Sequence, residues 1–230
     1  MSKPKQVKID GMVFDFVWKN NTWYVRLVRT VKSALPTSVK IPDLVNGRVV
    51  RGIDTNAFKG RILETIEYPD SIEVIGNQAF YGCKFLKTVK SYSTTNTAKS
   101  ISFGGQAFAN CDNLTRFQTP VPVSYAAAGC FARCLQLKEL KTTICNFGSC
   151  VFEGCSQLTL VTLADDVYWE QDSFVWAKNL KTFVFKGKVS NRVSATKIKA
   201  LTKKKLICTN DFQYLDLSYE GTDIVMAQSI

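Results

Sequence analysis

Apolar and polar positions repeat along the middle of this 230-residue chain, and each copy is marked by a phenylalanine. Successive copies carry Phe58, Phe80, Phe108, Phe131, Phe152 and Phe174. A cysteine lies three residues after each of the middle four, and a leucine lies six residues after each of the last five. Periods of roughly 20 to 30 residues are typical of solenoids, in which each unit buries its apolar face only against its neighbours. The pattern therefore predicts a stack of coils.

Within one copy, the apolar positions predict two short strands joined by a corner. In the clearest copy, Leu63, Ile66 and Tyr68 point inward, and Pro69 and Asp70 turn the chain. Proline suits a corner because its ring fixes the backbone and it lacks the N–H that a strand ladder would need. A glycine four residues before a phenylalanine is expected to supply a backbone shape that a side chain would hinder; this applies to Gly76, Gly104 and Gly148.

The residues around the phenylalanine form an Ala-Phe-x-x-Cys motif, which is clearest in IDTNAF, IGNQAF and FGGQAF. Over residues 39–185 the chain resembles the BspA-like leucine-rich repeats. The motif weakens toward the C-terminus, where Cys130, Val151 and Ser173 replace its alanine. The resemblance implies a mainly β, right-handed leucine-rich-repeat-like solenoid of about six to seven coils, with a β-hairpin N-terminal cap and a mixed C-terminal cap. It also implies a binding or adhesion module and not an enzyme.

Three regions follow one another within what we expect to be a single structural domain. Residues 1–40 contain two alternating segments, which predict a β-hairpin that caps the open edge of the first coil. Residues 41–185 form the solenoid. Residues 186–230 lose the period and predict a basic C-terminal cap, with a short helix near 194–205 and strands at KLICT and FQYLDL.

The net charge of +11 is concentrated near the two ends of the chain. Residues 1–40 carry +6, residues 41–185 carry +1, residues 186–205 carry +8 and residues 206–230 carry −4. Such a run of cations would attract a polyanion, and the candidate basic patch is formed by Lys197, Lys199, Lys203, Lys204 and Lys205. Charge runs are more often solvated surface, and no aromatic residues interleave this one as they do in single-strand nucleic-acid grooves. Both interpretations stay open.

The chain contains no histidine, which excludes Ser-His-Asp and Cys-His catalytic arrangements. Asp165 and Asp166 are adjacent, so we expect them in a turn after Leu163 and not as a catalytic pair. The four cysteines in phase with the repeat predict a buried row of thiols. The others leave a disulfide open, but their spacing does not favour a zinc site; they are Cys130, Cys145, Cys150 and Cys208. We therefore predict no enzymatic activity, no cofactor and no metal.

The surface best suited to binding is the outward side of the first strand of each coil. If the first, fourth and sixth residues of a copy point inward, the third and fifth point outward. The candidate binding face is therefore formed by Thr65, Glu67, Thr88, Lys90, Arg116, Gln118, Glu139, Lys141, Leu160 and Thr162. Leu160 and Val184 would make its C-terminal end apolar unless the C-terminal cap covers them. The polar insertion SYSTTNTAKS, residues 91–100, is expected to form a loop that adds to this face.

These features predict a non-enzymatic binding module that recognises another protein or a surface glycan in adhesion or assembly. Two alternatives stay open: binding of nucleic acid or an anionic surface through the basic caps, and a structural subunit of a larger, oligomeric assembly such as a virion. No stretch approaches the roughly 18 apolar residues of a membrane span. No signal peptide is visible. As written, the chain is expected to be cytoplasmic or virion-associated, and cell-surface or secreted if a presequence has been removed.

Overall fold

The fold is seen in a computed structural model that describes residues 6–19, 22–30, 37–95, 97–169, 173, 179–180, 182–185, 205–209 and 224–227. Every regular element in this part of the chain is a β-strand. The strands are β1 (Val7–Ile9), β2 (Met12–Lys19), β3 (Thr22–Thr30), β4 (Ser38–Lys40), β5 (Leu44–Val45), β6 (Arg48–Ile53), β7 (Thr65–Pro69), β8 (Val74–Ile75), β9 (Thr88–Tyr92), β10 (Ile101–Phe103), β11 (Arg116–Gln118), β12 (Val123–Ala126), β13 (Glu139–Lys141), β14 (Ile144–Phe147), β15 (Leu160–Trp169), β16 (Thr182–Phe185), β17 (Lys205–Thr209) and β18 (Ile224–Ala227).

The strands stack into two parallel ladders. The first ladder runs through β4, β7, β9, β11, β13, β15, β16, β17 and β18. The second ladder runs through β3, β6, β8, β10, β12, β14 and the C-terminal part of β15. One strand from each ladder, joined by a corner, makes one coil, and the coils form a mainly β solenoid of about five turns. The mainly β, leucine-rich-repeat-like fold class predicted from the repeat is confirmed, with about five turns where about six to seven coils were predicted.

The core of the solenoid is a column of stacked phenylalanine rings. Phe58, Phe80, Phe108, Phe131 and Phe152 are fully buried. The centroids of successive rings lie 5.0, 5.1, 5.3 and 5.9 Å apart, and their planes differ by no more than 12°. This separation is close to the roughly 4.8 Å between neighbouring strands. The rings and the strands therefore advance with the same step from coil to coil.

The cysteines in phase with the repeat form the buried thiol row that their spacing predicts, and each thiol also makes a hydrogen bond. The thiol of each donates to the carbonyl oxygen of the phenylalanine in the preceding coil, at 3.0–3.2 Å; the donors are Cys83, Cys111, Cys134 and Cys155. Burial raises the pKa of Cys83 to about 11 and that of Cys155 to about 12. The protonated form, which can donate, is therefore the one that persists in the folded protein.

The remaining cysteines that the structure describes form no disulfide with one another. Cys130 is a free thiol, buried in the position that alanine holds in earlier coils, and Cys145 and Cys150 are half-buried. The side chain of Cys208 lies outside the described part of the structure. The disulfide left open by the sequence is therefore not formed among the three that are described.

The glycines four residues before a phenylalanine are needed for space and not for an unusual backbone shape. A Cβ on Gly76 would lie 2.6 Å from the backbone nitrogen of Thr55 in the preceding coil, and one on Gly104 would lie 2.5 Å from that of Asn77. Neither glycine has a left-handed backbone. A side chain is therefore hindered at these positions, as expected, but by the neighbouring backbone and not by a left-handed conformation. Left-handed residues lie instead two positions before each phenylalanine, at Asn56, Gln78, Gln106, Gly129 and Cys150.

The N-terminal segment forms the predicted antiparallel hairpin, with Trp18 of β2 opposite Trp23 of β3. Its first alternating segment is divided, because Asp10 and Gly11 have φ angles of 45° and 74° and turn β1 back onto β2. Two residues with positive φ are typical of a tight type I′ hairpin turn. Strand β3 then pairs with β6 at the N-terminal end of the second ladder. The division of the chain into three regions stays a prediction.

Predictions for the C-terminal half have mixed outcomes. Asp165 and Asp166 lie within β15, so their assignment to a turn was wrong. Strand β15 pairs with β13, β14 and β16, and these three pairings keep it extended. Its pairing with β14 contains a register shift between Ile144 and Asn146. KLICT forms β17 as predicted, and β18 was not predicted. The expected helix near 194–205 and the strand at FQYLDL lie outside the described residues.

Replacing Phe108 with alanine should lower the free energy of unfolding by about 3–5 kcal/mol, the usual cost of deleting a buried aromatic ring. Phe108 stacks on Phe80 and Phe131, so its loss removes contacts with both neighbouring coils. Urea unfolding followed by circular dichroism measures the change. Phe85→Ala is the matched control, because Phe85 is 54% exposed and should cost little. Equal losses in the two variants would contradict a core built on the ring column.

Iodoacetamide at about pH 8 should label Cys145 and Cys150 in the folded protein well before Cys111 and Cys134. The first two are half-buried, whereas the latter are fully buried and burial raises their pKa values. Alkylation requires the thiolate, which those buried thiols do not form near neutral pH. Peptide mass spectrometry of samples quenched over time, with a sample in urea as the reference, measures each rate. Uniform labelling of all four would contradict the buried thiol row.

The raised pKa of Cys83 also makes stability depend on pH in the alkaline range. The unfolded thiol ionises near its ordinary pKa of about 8.5, whereas the folded thiol stays protonated until about pH 11. Its contribution to stability is therefore complete below about pH 8.5 and is lost as the pH rises toward 11. Urea midpoints between pH 7 and 10.5 should fall less steeply for Cys83→Ser than for the unmodified chain.

Candidate binding face

The ten residues chosen from the sequence lie in two rows on the first ladder. In the first row each residue is opposite the next in register, in the order Thr65, Thr88, Arg116, Glu139 and Leu160. In the second row the same holds for Glu67, Lys90, Gln118 and Lys141, and Thr162 continues the row on β15. The residues between the rows are buried in the core: Ile66, Val89, Phe117 and Leu140. We call the two rows the ladder face.

The ladder face is exposed in its middle and partly covered elsewhere. Arg116, Gln118, Glu139 and Lys90 are exposed. The other described side chains are half-buried, namely Thr65, Glu67, Thr88, Leu160 and Thr162. The side chains of Lys141 and Val184 lie outside the described part of the structure. An apolar C-terminal end of the face, or its burial under a cap, therefore stays a prediction.

Charges of opposite sign lie next to each other along the face. The ammonium group of Lys90 lies 2.8 Å from the carboxylate of Glu67 on the neighbouring strand. Arg116 and Glu139 are opposite in register on β11 and β13. An exposed ion pair contributes roughly 0–1 kcal/mol to stability, so these charges matter more for what the face can bind than for holding the coils together.

The face has one rung that the sequence analysis missed. Strand β4 adds Ser38 opposite Thr65 and Lys40 opposite Glu67. The ammonium group of Lys40 lies 4.4 Å from the centre of the Tyr92 ring, in a cation–π contact. The signal in the sequence is slight: apolar Val39 stands between two polar residues, but no leucine lies three residues before it. The missing leucine explains why the repeat pattern did not identify this rung.

The insertion loop is attached to the corner of the preceding coil by one buried carboxylate. Asp70 is 4% exposed, and its carboxylate accepts hydrogen bonds from the Thr94 backbone N–H at 2.9 Å, the Thr94 hydroxyl at 2.6 Å and the Thr97 hydroxyl at 2.9 Å. The backbone N–H of Ala98 donates to the Asp70 carbonyl at 2.8 Å. The sequence predicted Asp70 as a turn residue only. Asp70 can hold the loop only because the insertion folds back and brings Thr94 and Thr97 to this corner.

Tyr92 connects the base of the loop to the added first rung. Its hydroxyl donates to the carbonyl of Ile41 at 2.5 Å. Burial raises the pKa of Tyr92 to about 12, and the nearby carboxylates of Asp43, Asp70 and Glu67 add to the effect. The phenol therefore stays protonated and keeps donating at any physiological pH. The loop is held at its start by Tyr92 and farther on by Asp70.

A cavity of about 410 Å³ opens at the edge of the ladder face, where β11 and β13 end and the chain turns toward the second ladder. We call it the threonine pocket, and it is lined by Thr119, Pro120, Val121, Pro122, Glu139, Leu140, Thr142, Thr143 and Thr162. Glu139 and Thr162 belong to both the pocket and the ladder face. The sequence analysis did not find this pocket, because corner residues that are not periodic form most of its wall.

In the part of the chain that the structure describes, no group of three or more histidine, cysteine, aspartate or glutamate side chains could hold a metal ion. Among the same residues no helix is long and apolar enough to cross a membrane. Of the candidate basic patch, only the backbone of Lys205 is described, opposite Thr182 at the start of β17. The other members lie outside the description: Lys197, Lys199, Lys203 and Lys204.

Replacing Asp70 with alanine should release the insertion loop, because three hydrogen bonds from Thr94 and Thr97 lose their acceptor. Trypsin should then cleave after Lys99 at least about tenfold faster, as expected when a local opening becomes easier by 1.4 kcal/mol or more. Timed digests analysed by mass spectrometry measure the rate. Glu73→Ala, which removes an exposed carboxylate paired with Arg51, is the matched control. Unchanged cleavage in the Asp70 variant would contradict the anchoring role.

Comparison with known protein families gives a direct match to the repeat. The family described as "BspA type Leucine rich repeat region" matches in six copies over residues 51–181. A comparison with curated proteins gives no match.

Three solved structures are similar to this chain. A leucine-rich repeat protein from Bacteroides capillosus is 21% identical, with a TM-score of 0.43, and the match covers 79% of this chain and 99% of that one. The leucine-rich repeat protein of T. pallidum is 22% identical, with a TM-score of 0.37, over 67% of this chain and 91% of that one. A leucine-rich cell surface protein from Faecalibacterium prausnitzii is 14% identical, with a TM-score of 0.45, over 90% and 89%.

The family match spans the same residues that carry the phenylalanine column, the thiol row and most of the ladder face. The match begins at Arg51, within β6, and ends one residue after Leu180. This chain belongs to the BspA-type leucine-rich repeat family.

Proposed function

We propose that the chain is a non-enzymatic binding module that recognises another protein or a surface glycan through the ladder face and the insertion loop. The family is typical of binding and adhesion modules, and its repeat builds a scaffold. The observation that carries the proposal is the register of the ladder face. The ten chosen residues lie in two rows over five neighbouring strands, and the nine whose side chains are described are exposed or half-buried.

The composition of the face supports recognition of a macromolecule. Threonine, arginine, glutamate and glutamine offer hydrogen-bond donors and acceptors at a regular spacing of about 4.8 Å along the ladder. Interfaces of this polar kind bind through complementary charge and hydrogen bonding, with an exposed rim and few apolar anchors. The exposed pair Arg116 and Glu139 lies at the centre of the face, where a partner would cover it most completely.

The rigidity of the face also supports the proposal. Its strands are held by backbone hydrogen bonds to both neighbours, and the residues between the two rows are buried in the core. The insertion loop is attached at Asp70 and Tyr92. A surface that is already ordered loses little conformational entropy on binding, which favours affinity at a given contact area.

The test is capture of partners by the immobilised full chain, at low salt and at about 0.5 M salt. Candidate sources are the source organism's lysate and surface glycoproteins of its surroundings. A partner of the ladder face should remain bound at high salt. A polyanion should dissociate, because phosphate-driven binding weakens steeply as the salt concentration rises. Arg116→Glu should weaken that partner at least about tenfold, since it places two like charges opposite each other on β11 and β13. Titration of the purified partner measures the change.

Lys84→Glu is the matched control, because it makes the same charge change at an exposed residue outside the ladder face. Equal weakening by Arg116→Glu and Lys84→Glu would indicate a non-specific charge effect and contradict the proposed face. Binding that disappears at high salt, and also in a chain with Lys203, Lys204 and Lys205 changed to glutamine, would replace this proposal with polyanion binding through the basic patch.

A further inference from the structure

The threonine pocket has properties that its place in the scaffold does not explain. At the corner after β7, Ser71 is buried and its hydroxyl donates to the Val50 carbonyl at 2.8 Å. The corners after β11 and β13 instead leave a cavity of about 410 Å³. Ligand sites in proteins commonly have volumes of about 300 to 1,000 Å³. The pocket is therefore large enough to be a ligand site.

One wall of the pocket contains a hydroxyl group without a partner. Thr142 is 8% exposed, and its hydroxyl oxygen is buried with no hydrogen bond. Leaving a buried hydroxyl unpaired costs about 1–3 kcal/mol, and such groups are few in folded proteins. A 120° rotation about χ1 moves the Thr142 hydroxyl to the position of its methyl group and the methyl group to that of the Cβ hydrogen. A ligand in the pocket could therefore satisfy this group without moving the backbone.

The rest of the lining indicates the chemistry of the ligand. Thr143 and Thr162 add hydroxyl groups that can both donate and accept. The Thr119 hydroxyl is used within the corner, where it donates to the Val121 carbonyl at 3.3 Å and accepts from the Val121 N–H at 3.4 Å. The two prolines of the corner after β11 present apolar ring surfaces and carry no N–H. Glu139 is the one ionised group among the lining side chains that the structure describes, and it accepts hydrogen bonds only. This set suits a neutral molecule with many hydroxyl groups and an apolar C–H surface.

We propose that the threonine pocket is a subsite for a neutral sugar residue of a glycan. In this arrangement sugar hydroxyls donate to the Glu139 carboxylate and exchange hydrogen bonds with the threonines, including Thr142. The C–H surface of the sugar lies against Pro120 and Pro122. The carboxylate disfavours acidic or phosphorylated sugars, because a second anion beside it would be repelled. The proposal rests on the proposed function, since Glu139 and Thr162 also belong to the ladder face, and it narrows the partner to a glycan-bearing one.

The test uses the purified full chain and a panel of free sugars. Saturation-transfer NMR and calorimetry are performed with glucose, galactose, mannose, fucose and N-acetylglucosamine, and with glucuronate and glucose 6-phosphate as anionic counterparts. At least one neutral sugar should bind with millimolar affinity, and glucuronate and glucose 6-phosphate should bind at least tenfold more weakly than that sugar. No binding of any neutral sugar at 50 mM (roughly ten times a typical weak millimolar constant) would overturn the proposal, as would tighter binding of the anionic sugars.

Thr142→Val is the decisive variant, because it changes one hydroxyl to a methyl group and keeps the shape. It should weaken sugar binding at least tenfold while the melting temperature stays the same or rises, since the variant removes a buried hydroxyl that has no partner in the empty pocket. Thr55→Val, in an early coil, is the matched control and should bind sugar normally. Normal sugar binding by Thr142→Val would overturn the assignment of the pocket.

The outcomes for the pocket and for the ladder face can be told apart. If no sugar binds but Arg116→Glu still releases a salt-resistant partner, the pocket proposal fails and the ladder face stands. If a sugar binds and Thr142→Val abolishes it, while Arg116→Glu releases no partner, the pocket stands and the broader face fails.

Discussion

Contact between identical positions of successive coils is the constraint on which the structure depends. A single coil has no core of its own, because its phenylalanine ring can be covered on both faces only by the rings of its neighbours. The ring separation of 5.0–5.9 Å matches the strand spacing, so ring stacking and strand pairing reinforce each other. The thiol of each in-phase cysteine then bonds to the phenylalanine carbonyl of the preceding coil. The Phe-x-x-Cys motif is thus a connection between coils.

The same contact sustains backbone shapes that would be unfavourable in isolation. Gln78 and Gln106 have φ angles of 53° and 55°, in the region that costs most residues roughly 1–2 kcal/mol. Their backbone N–H groups donate to the carbonyls of Gly105 and Ala128 in the following coil, at 2.9 Å in each case. Stacking therefore compensates for the local strain. This explains why the position is not reserved for glycine, and why the sequence gives no clear sign of it.

What the sequence could predict is what depends on period alone. The spacing of leucine and phenylalanine determines which strands are neighbours, and the two rows lie in register on β7, β9, β11 and β13. The role of these rows in binding stays a prediction. Features that depend on a single departure from the period could not be predicted. Asp70 holds the insertion only because the loop returns to that corner, and the threonine pocket exists only because two corners fail to fill. Asp165 and Asp166 looked like turn residues, but pairing of β15 with three other strands keeps them extended.

Departures from the period are therefore where this protein differs from a uniform scaffold. A periodic stack presents every coil in the same way, and its phenylalanine column would be equally stable with any outward residues. The insertion loop at Asp70 and the pocket at Thr142 both interrupt that uniformity on or beside the ladder face, and both use polar groups where packing alone would favour apolar ones. A buried carboxylate or an unpaired hydroxyl lowers stability unless something compensates for it. Asp70 is compensated within the chain by the loop. Thr142 is not, and a ligand from outside is the compensation that its chemistry fits.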